Sequence, residues 1–102
     1  MANGATQQSE EALALANKTR LARADLKKEI KRGETTVAEV LRALPEYIHK
    51  MSLAELLRAQ DRWGKRRVER FLQDCEGLSE SKKCGTLTLR QRRLMIQTGR
   101  IG

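Results

Sequence analysis

The sequence predicts an all-α protein, with a long N-terminal helix followed by a compact domain of four to five short helices. Three observations support this class. Ala, Leu, Arg, Lys, Glu and Gln dominate the chain, and all of them favour helices. Apolar residues recur at spacings of three and four. Proline occurs once in 102 residues, and extended β-branched runs are absent. A chain of this length has room for one domain, which we place at residues 9–102.

The first predicted element is a long helix over residues 9–32. Ser9 is a preferred N-cap residue type, and Gly33 follows two basic residues, as is typical of a helix C-terminus. Residues 1–8 show no periodicity, and we expect them to form a disordered arm. The predicted apolar stripe of the helix consists of Leu15, Ala22, Leu26 and Ile30.

Short helices are predicted by their capping signals. Thr36, Ser52 and Thr88 are each followed three positions later by Glu or Gln, which is the pattern of a capping box. A further helix is predicted after the turn at residues 62–65, and we expect it to end near Gly77. The apolar positions behind each signal have helical spacing, so these helices should share one core.

The charge of the chain is strongly positive. There are 21 Lys and Arg residues against 13 Asp and Glu, which gives a net charge of +8. The positive charge is concentrated in residues 18–34 and 62–102. Such a chain is expected to bind a polyanion. With only Tyr47, Trp63 and Phe71 as aromatic residues, stacking of successive single-stranded bases is poorly supported, and contact with a duplex backbone fits better.

Several other classes lack support in the sequence. No apolar stretch approaches the roughly 20 residues that span a bilayer, and no signal-peptide pattern is present, so we expect no membrane association and a cytoplasmic, nucleoid location. Cys75, Cys84 and the single histidine, His49, lack metal-ligand spacing, so no metal or cofactor is expected. Cys75 is interpreted as a small core residue and Cys84 as part of a basic loop, although a disulfide is geometrically conceivable. No paired nucleophile and base is recognisable, so we expect no enzyme.

The first candidate binding centre is the turn before the predicted helix at residue 65. A glycine at a helix N-terminus leaves backbone N–H groups open to an anion, and basic residues there oppose the helix dipole unless an anion is bound. The alternative is an ordinary helix-to-helix turn with solvated charges. Trp63, just before it, is expected to pack rather than to stack on a base. The candidate residues are Gly64, Lys65, Arg66 and Arg67.

The second candidate centre combines a hydroxyl-rich basic loop with the basic start of the last helix, since both can donate hydrogen bonds to phosphate oxygens. The third is a basic stripe on the long helix. In both cases the alternative is a solvated surface. The candidates of the second centre are Ser79, Ser81, Lys82, Lys83, Arg90, Arg92 and Arg93, and those of the third are Arg20, Arg23 and Lys27.

From about residue 12 to residue 93 the chain resembles the actinobacterial type of integration host factor, a helix-two-turns-helix nucleoid protein. The matching segments are ADLKK (24–28), KRG (31–33), KMSLAELL (50–57), GK (64–65), LSESKK (78–83) and RQR (90–92). The resemblance implies a helix-two-turns-helix region at about residues 52–93, related to a small-subunit ribosomal protein. It also implies that the phosphate-binding turn falls on Gly64 and Lys65, and the paired basic residues on Lys82 and Lys83. The chain departs from the family at residues 84–88, where a further arginine and a glycine-rich loop are usual, and at residues 62–63, where the family tends to have a proline and an apolar residue.

The charge pattern and the resemblance together predict a sequence-nonspecific architectural protein that binds double-stranded DNA and bends or loops it. By this resemblance it would help to organise the nucleoid and support a phage integrase or recombinase complex, and we expect it to be a monomer in solution. The alternative is a structured-RNA or ribosome-associated binding protein. DNA-glycosylase chemistry is disfavoured because those enzymes use an N-terminal amine, commonly that of proline, and the only proline here is Pro45. A protein adaptor is a further alternative, and its binding would survive high salt.

Overall fold

The computed structural model describes the backbone of residues 2–102 and the side chains of residues 10–102. A disordered arm was expected at residues 1–8; Met1 lies outside the described residues, and the backbone of residues 2–8 is helical. Throughout the described chain the regular elements are helices, joined by loops and one isolated β-bridge between Ser52 and Lys83, which confirms the all-α class. The α-helices are α1 (Ala2–Arg32), α2 (Val37–Ala43), α3 (Leu53–Arg58), α4 (Lys65–Asp74) and α5 (Leu89–Gln97), and two 3-10 turns lie at Glu46–Ile48 and Cys84–Thr86.

Two helix boundaries differ from the prediction. The backbone of α1 is helical from Ala2, ahead of the expected start at Ser9, and no proline in this stretch forces a later start. Helix α4 ends at Asp74, before the expected position near Gly77. The chain turns back here because Glu76 and Gly77 adopt positive φ angles, and the N–H of Leu78 donates to the carbonyl of Leu72 at 3.1 Å.

The N-caps predicted for the short helices form, whereas Ser9, the predicted N-cap of the long helix, lies within α1. The hydroxyls of Thr36, Ser52 and Thr88 each accept a hydrogen bond from the backbone N–H three residues later, at 3.1 to 3.2 Å. At Thr88 the reciprocal bond from its own N–H to Gln91 Oε1 completes a capping box. At Ser52 the partner carboxylate of Glu55 instead forms an ion pair with Lys27 of α1. A cap of this kind stabilises a helix by about 1 kcal/mol, which explains why these helix starts were predictable.

A single hydrophobic core joins the helices. It includes the predicted apolar positions of α2, α3 and α4, and among the described side chains of α1, at residues 10–32, only Leu26 and Ile30 are buried. The predicted stripe on α1 was wrong at its N-terminal end, because Leu15 is 66% exposed. The molecule measures 53 × 27 × 24 Å, and within residues 10–32 of α1 it is the C-terminal half that reaches the core.

The loop at residues 79–85 is fixed to the start of α3 by backbone hydrogen bonds. The N–H groups of Leu53 and Ala54 donate to the carbonyls of Lys82 and Glu80 at 2.9 and 3.0 Å. On the other side of the bridge, the N–H of Cys84 donates to Met51 O at 2.9 Å. These bonds give a basic loop a defined position despite its lack of helix or strand.

No helix in the described part of the chain is long and apolar enough to cross a membrane.

Candidate nucleic-acid interface

The turn between α3 and α4 is anchored by Trp63. Its side chain is 8% exposed and meets Phe71 edge to face, with ring centroids 5.4 Å apart and an interplanar angle of 73°. The expectation that Trp63 packs is therefore confirmed. The Arg67 guanidinium lies over the Trp63 ring, 4.5 Å from its centroid. The buried Trp63 side chain thus fixes the backbone immediately before Gly64, and its ring orients the guanidinium group of Arg67.

Gly64 is the N-cap of α4, and the fold does not require a glycine there. Its φ of −85° is open to any residue, and an added Cβ would meet no atom within 4 Å. No side chain caps the first turn of α4, whose first backbone bond runs from the N–H of Val68 to Gly64 O at 3.1 Å. What glycine provides here is uncovered backbone N–H groups beside the exposed side chains of Lys65, Arg66 and Arg67.

The second centre begins with a small serine turn. Ser79 Oγ accepts from the N–H of Ser81 at 3.3 Å and lies 3.0 Å from its hydroxyl. Lys83 is exposed and Lys82 is half-buried. This loop is bonded to the first residues of α3, whereas Gly64 comes after the turn at residues 59–63 that follows the last residue of that helix. That the two centres share one face stays a prediction.

The basic stripe of α1 lies beside the second centre, which the sequence did not predict. Arg23 Nε donates to Tyr47 O at 2.6 Å, and Lys27 Nζ lies 3.1 Å from Glu55 Oε1. Arg23 and Lys27 therefore tie α1 to the domain, while Arg20 is exposed. A direct role of these three residues in DNA binding stays a prediction.

The side chain of Cys84 lies near charged residues of α1, α3 and the basic loop, namely Arg23, Glu55 and Lys83. The pKa of its thiol is raised to about 11, mainly by burial and to a smaller extent by Glu55, against the lowering effects of a backbone hydrogen bond, Arg23 and Lys83. Cys84 lies in the basic loop as predicted, and its side chain is fully buried because the 3-10 turn directs it into the core. Cys75 is confirmed as a core residue, and burial also raises the pKa of its thiol. Both cysteines are free thiols.

The three arginines of α5 have different surroundings. Arg92 is half-buried, and its Nη1 donates to Leu41 O in α2 at 3.0 Å, while its Nε is buried without a partner. Arg90 forms an ion pair with Glu76 at 2.9 Å but keeps 82% of its side chain exposed. Arg93 is exposed and forms no ion pair within residues 10–102. Arg92 thus joins two helices, and Arg90 and Arg93 are open to a ligand.

Four basic residues absent from the prediction adjoin the candidates. Lys18 and Lys50 line a groove with Arg23, and Arg70 and Arg100 line a groove with Arg66 and Arg67. Arg70 could have been found, since it follows Arg66 and Arg67 at helical spacing. Arg100 could not, because only the return of the chain after α5 brings it to α4.

Among the described residues, no three His, Cys, Asp or Glu side chains form a group that could hold a metal ion.

The comparison with solved structures identifies a fold of the integration-host-factor type. The similar structure is that of sIHF bound to an 8-bp palindromic DNA. It matches with a TM-score of 0.74 and 25% identity, covering 83% of this chain and 97% of that chain. No protein-family model matches the chain, and no curated protein sequence does.

Proposed function

We propose that this protein binds duplex DNA through the phosphate backbone and acts as an architectural protein of the integration-host-factor type. The observation that carries the proposal is its likeness in fold to DNA-bound sIHF over nearly all of the sIHF chain. The shared segments support membership of the actinobacterial family, and the net charge of +8 supplies the attraction to a polyanion.

The geometry supports backbone contact rather than base reading. The cations of the first centre lie in the first turn of α4, after a glycine, and Lys82 and Lys83 lie in a loop, so neither group lies along one face of an extended recognition helix. Loops and helix N-termini of this kind donate to phosphate oxygens, which carry no sequence information. The protein is thus proposed to bind many sequences and to act on DNA shape.

Bending or looping is the proposed output, since a molecule that contacts phosphates at separated centres can hold a duplex away from its straight path. By its resemblance to the family, the protein would organise the nucleoid and support a phage integrase or recombinase complex. When it is not bound to DNA, it is proposed to be a monomer. No catalytic role is proposed.

The test is to replace the cations of each centre and measure affinity for several unrelated duplexes. Lys65→Ala, and separately Lys82→Ala with Lys83→Ala, should weaken binding by about fivefold per lysine, or about 1 kcal/mol, and equally on every sequence. Lys28→Ala, at an exposed position on α1 outside the candidate set, is the control and should bind like the unaltered protein.

Circular dichroism accompanies each gel shift. Helix content should be unchanged, because Ala favours a helix at the exposed Lys65, and Lys82 and Lys83 lie in a loop that is held by backbone hydrogen bonds. Unfolding of the variants would assign the lysines a structural role. Retained affinity for random DNA with loss of a preferred sequence would show that they read bases, and the proposal of backbone contact would fail.

A further inference from the structure

The apolar face of α1 continues beyond the core that covers its C-terminal end. Leu26 and Ile30 are buried, whereas every side chain from residue 10 to residue 18 is exposed. The N-terminal stripe continues the face of Leu26 and Ile30 at helical spacing and consists of Ala12, Leu15, Thr19 and Ala22. Helices in proteins owe most of their stability to packing of an apolar face. A stripe that the described chain leaves partly uncovered therefore points to a docking surface.

Opposite charges border the N-terminal stripe at its two ends. Glu11 and Lys18 are seven residues apart, so they lie on the same side of the helix, with Leu15 between them. Within residues 10–102 neither charge forms an ion pair. In an antiparallel copy the order of the charges is reversed, so Glu11 of each copy would lie opposite Lys18 of the other. A second copy of this chain therefore satisfies both charges and covers Leu15 with its own counterpart.

A groove beside the stripe is complementary to the acidic end of a second α1. It lies between α1 and the 3-10 turn at Glu46–Ile48, and its volume is about 470 Å³. Its charged lining residues are Lys18, Arg23, Lys50 and Glu46, so positive charge prevails. In the antiparallel arrangement, Glu10 and Glu11 of the second copy come to this groove. Its apolar wall, formed by Leu15 and Ala22, suits the side chains of a helix better than it suits phosphate.

The stripe is too small to hold two free molecules together firmly. Residues 11–22 of a helix span about 17 Å, and a helix is about 10 Å wide. A standard stable interface buries about 800 Å² on each partner, which is several times the area of such a face. The association would therefore be weak in free solution, in agreement with the proposed monomer. It would become effective where DNA holds two copies close together.

Resting on the proposed function, we propose that the N-terminal stripe is a contact between two copies of this protein on DNA. Molecules at neighbouring sites would pair their α1 helices antiparallel, with Leu15 against Leu15 and Glu11 against Lys18. One bound molecule would then recruit a second, and the protein would occupy a duplex in pairs.

The test compares Leu15→Gln with Leu13→Gln as its matched control. The two leucines are 66% and 64% exposed, but helical geometry turns them about 160° apart, so Leu13 lies outside the stripe. Gel shifts on a duplex of about 40 bp, or about four helical turns, resolve the binding of a first and a second molecule. We expect the second to bind about tenfold more tightly than the first in the unaltered protein and in the control, and Leu15→Gln to remove this advantage. Affinity for a duplex of about 10 bp should be equal in all three proteins, because neither leucine belongs to the candidate phosphate contacts.

An exchange of charges tests the antiparallel orientation. Glu11→Lys should lower the advantage of the second molecule by about fivefold, because like charges would meet at both ends of the stripe. Addition of Lys18→Glu returns the net charge to that of the unaltered protein and should restore the advantage, since both ion pairs form again with their charges exchanged. Failure of the double variant to restore it would overturn the antiparallel pairing.

A cross-linker with two maleimide groups tests the contact itself, and the native Cys75 and Cys84 are buried from it. On the longer duplex, Leu15→Cys should give cross-linked dimers and Leu13→Cys should not. Equal cross-linking of these two variants, or an undiminished advantage in Leu15→Gln, would overturn the pairing while leaving the proposed function intact. Absence of duplex binding by the unaltered protein would instead overturn the proposed function. The stripe would then still be tested by cross-linking of Leu15→Cys at a protein concentration of about 1 mM, where no dimer would mean no pairing.

Discussion

Arg92 and Arg93 show how adjacent residues of one type take different roles. Both lie on α5, but Arg92 is half-buried against α2 while Arg93 is exposed. A charged donor on a backbone carbonyl at the end of a helix stabilises the join between two helices. At the scale of single residues, the local environment and not the residue type decides whether an arginine serves the fold or a ligand.

This difference gives a prediction for stability. Arg92→Ala should lower the free energy of unfolding by about 1.5 to 3 kcal/mol, because the Leu41 carbonyl loses a charged donor and the alkyl stem no longer packs. Arg93→Ala should change it by less than about 0.5 kcal/mol. Urea unfolding followed by circular dichroism measures both. Equal values for the two variants would refute the structural role of Arg92.

Among the elements, the two connections that carry the candidate centres use glycine for different reasons. At Gly85 the fold demands it, since an added Cβ would lie 2.7 Å from His49 Cβ and 3.0 Å from His49 Cα. Its N–H also donates to His49 O at 2.9 Å, which holds the basic loop against the chain before α3. At Gly64 a side chain would meet open space. One glycine thus positions a loop, and the other leaves a helix N-terminus uncovered.

Substitution should separate these two uses. Gly85→Ala should lower the free energy of unfolding by about 1 to 3 kcal/mol through overpacking. Gly64→Ser should raise the free energy of unfolding by a few tenths of a kcal/mol, because serine is a better N-cap than glycine. The same substitution should weaken DNA binding, because the serine hydroxyl would compete with phosphate for a backbone N–H of α4. Thermal unfolding and gel shifts on the same samples provide the readouts. If Gly64→Ser bound DNA as tightly as the unaltered protein, the N–H groups of α4 would have no part in binding.

At the scale of the whole molecule, the excess of positive charge should make the affinity for DNA depend strongly on salt concentration. If about four to six phosphates are neutralised, log K should fall against log salt with a slope of roughly −4 to −5. Lys65→Ala should make the slope shallower by about one unit. Fluorescence anisotropy on a random duplex at several salt concentrations measures it. A flat dependence would favour the protein adaptor and exclude binding by phosphate contact.

Competition with RNA completes that measurement. A-form and B-form duplexes present different groove widths and phosphate spacings, so a DNA duplex should displace the protein from an RNA duplex of equal length. Preference for RNA would instead support the structured-RNA alternative.

The sequence by itself determined the features that depend on neighbouring residues. The starts of α2, α3 and α5 follow from Thr36, Ser52 and Thr88, because a capping bond joins residues three apart and needs no partner from elsewhere. The core positions of the short helices followed from their periodicity, and the excess of positive charge from composition. The resemblance to the integration-host-factor family supplied the fold class in finer detail.

Only the tertiary structure decided which of these residues meet. Nothing in the sequence of α1 shows that Leu15 is exposed while Leu26 is buried, since both fit one apolar stripe and the domain covers only part of the helix. Arg92 was predicted to contact DNA, and the sequence carries no sign that Arg92 or Cys84 is buried, because loop composition and charge are local signals, whereas their burial depends on α2, α3 and the chain before α3. The groove lined by Arg66, Arg67, Arg70 and Arg100 forms only because the chain after α5 brings Arg100 back to α4. Contacts between residues far apart in the chain are fixed by packing of the whole core, and no local periodicity records them.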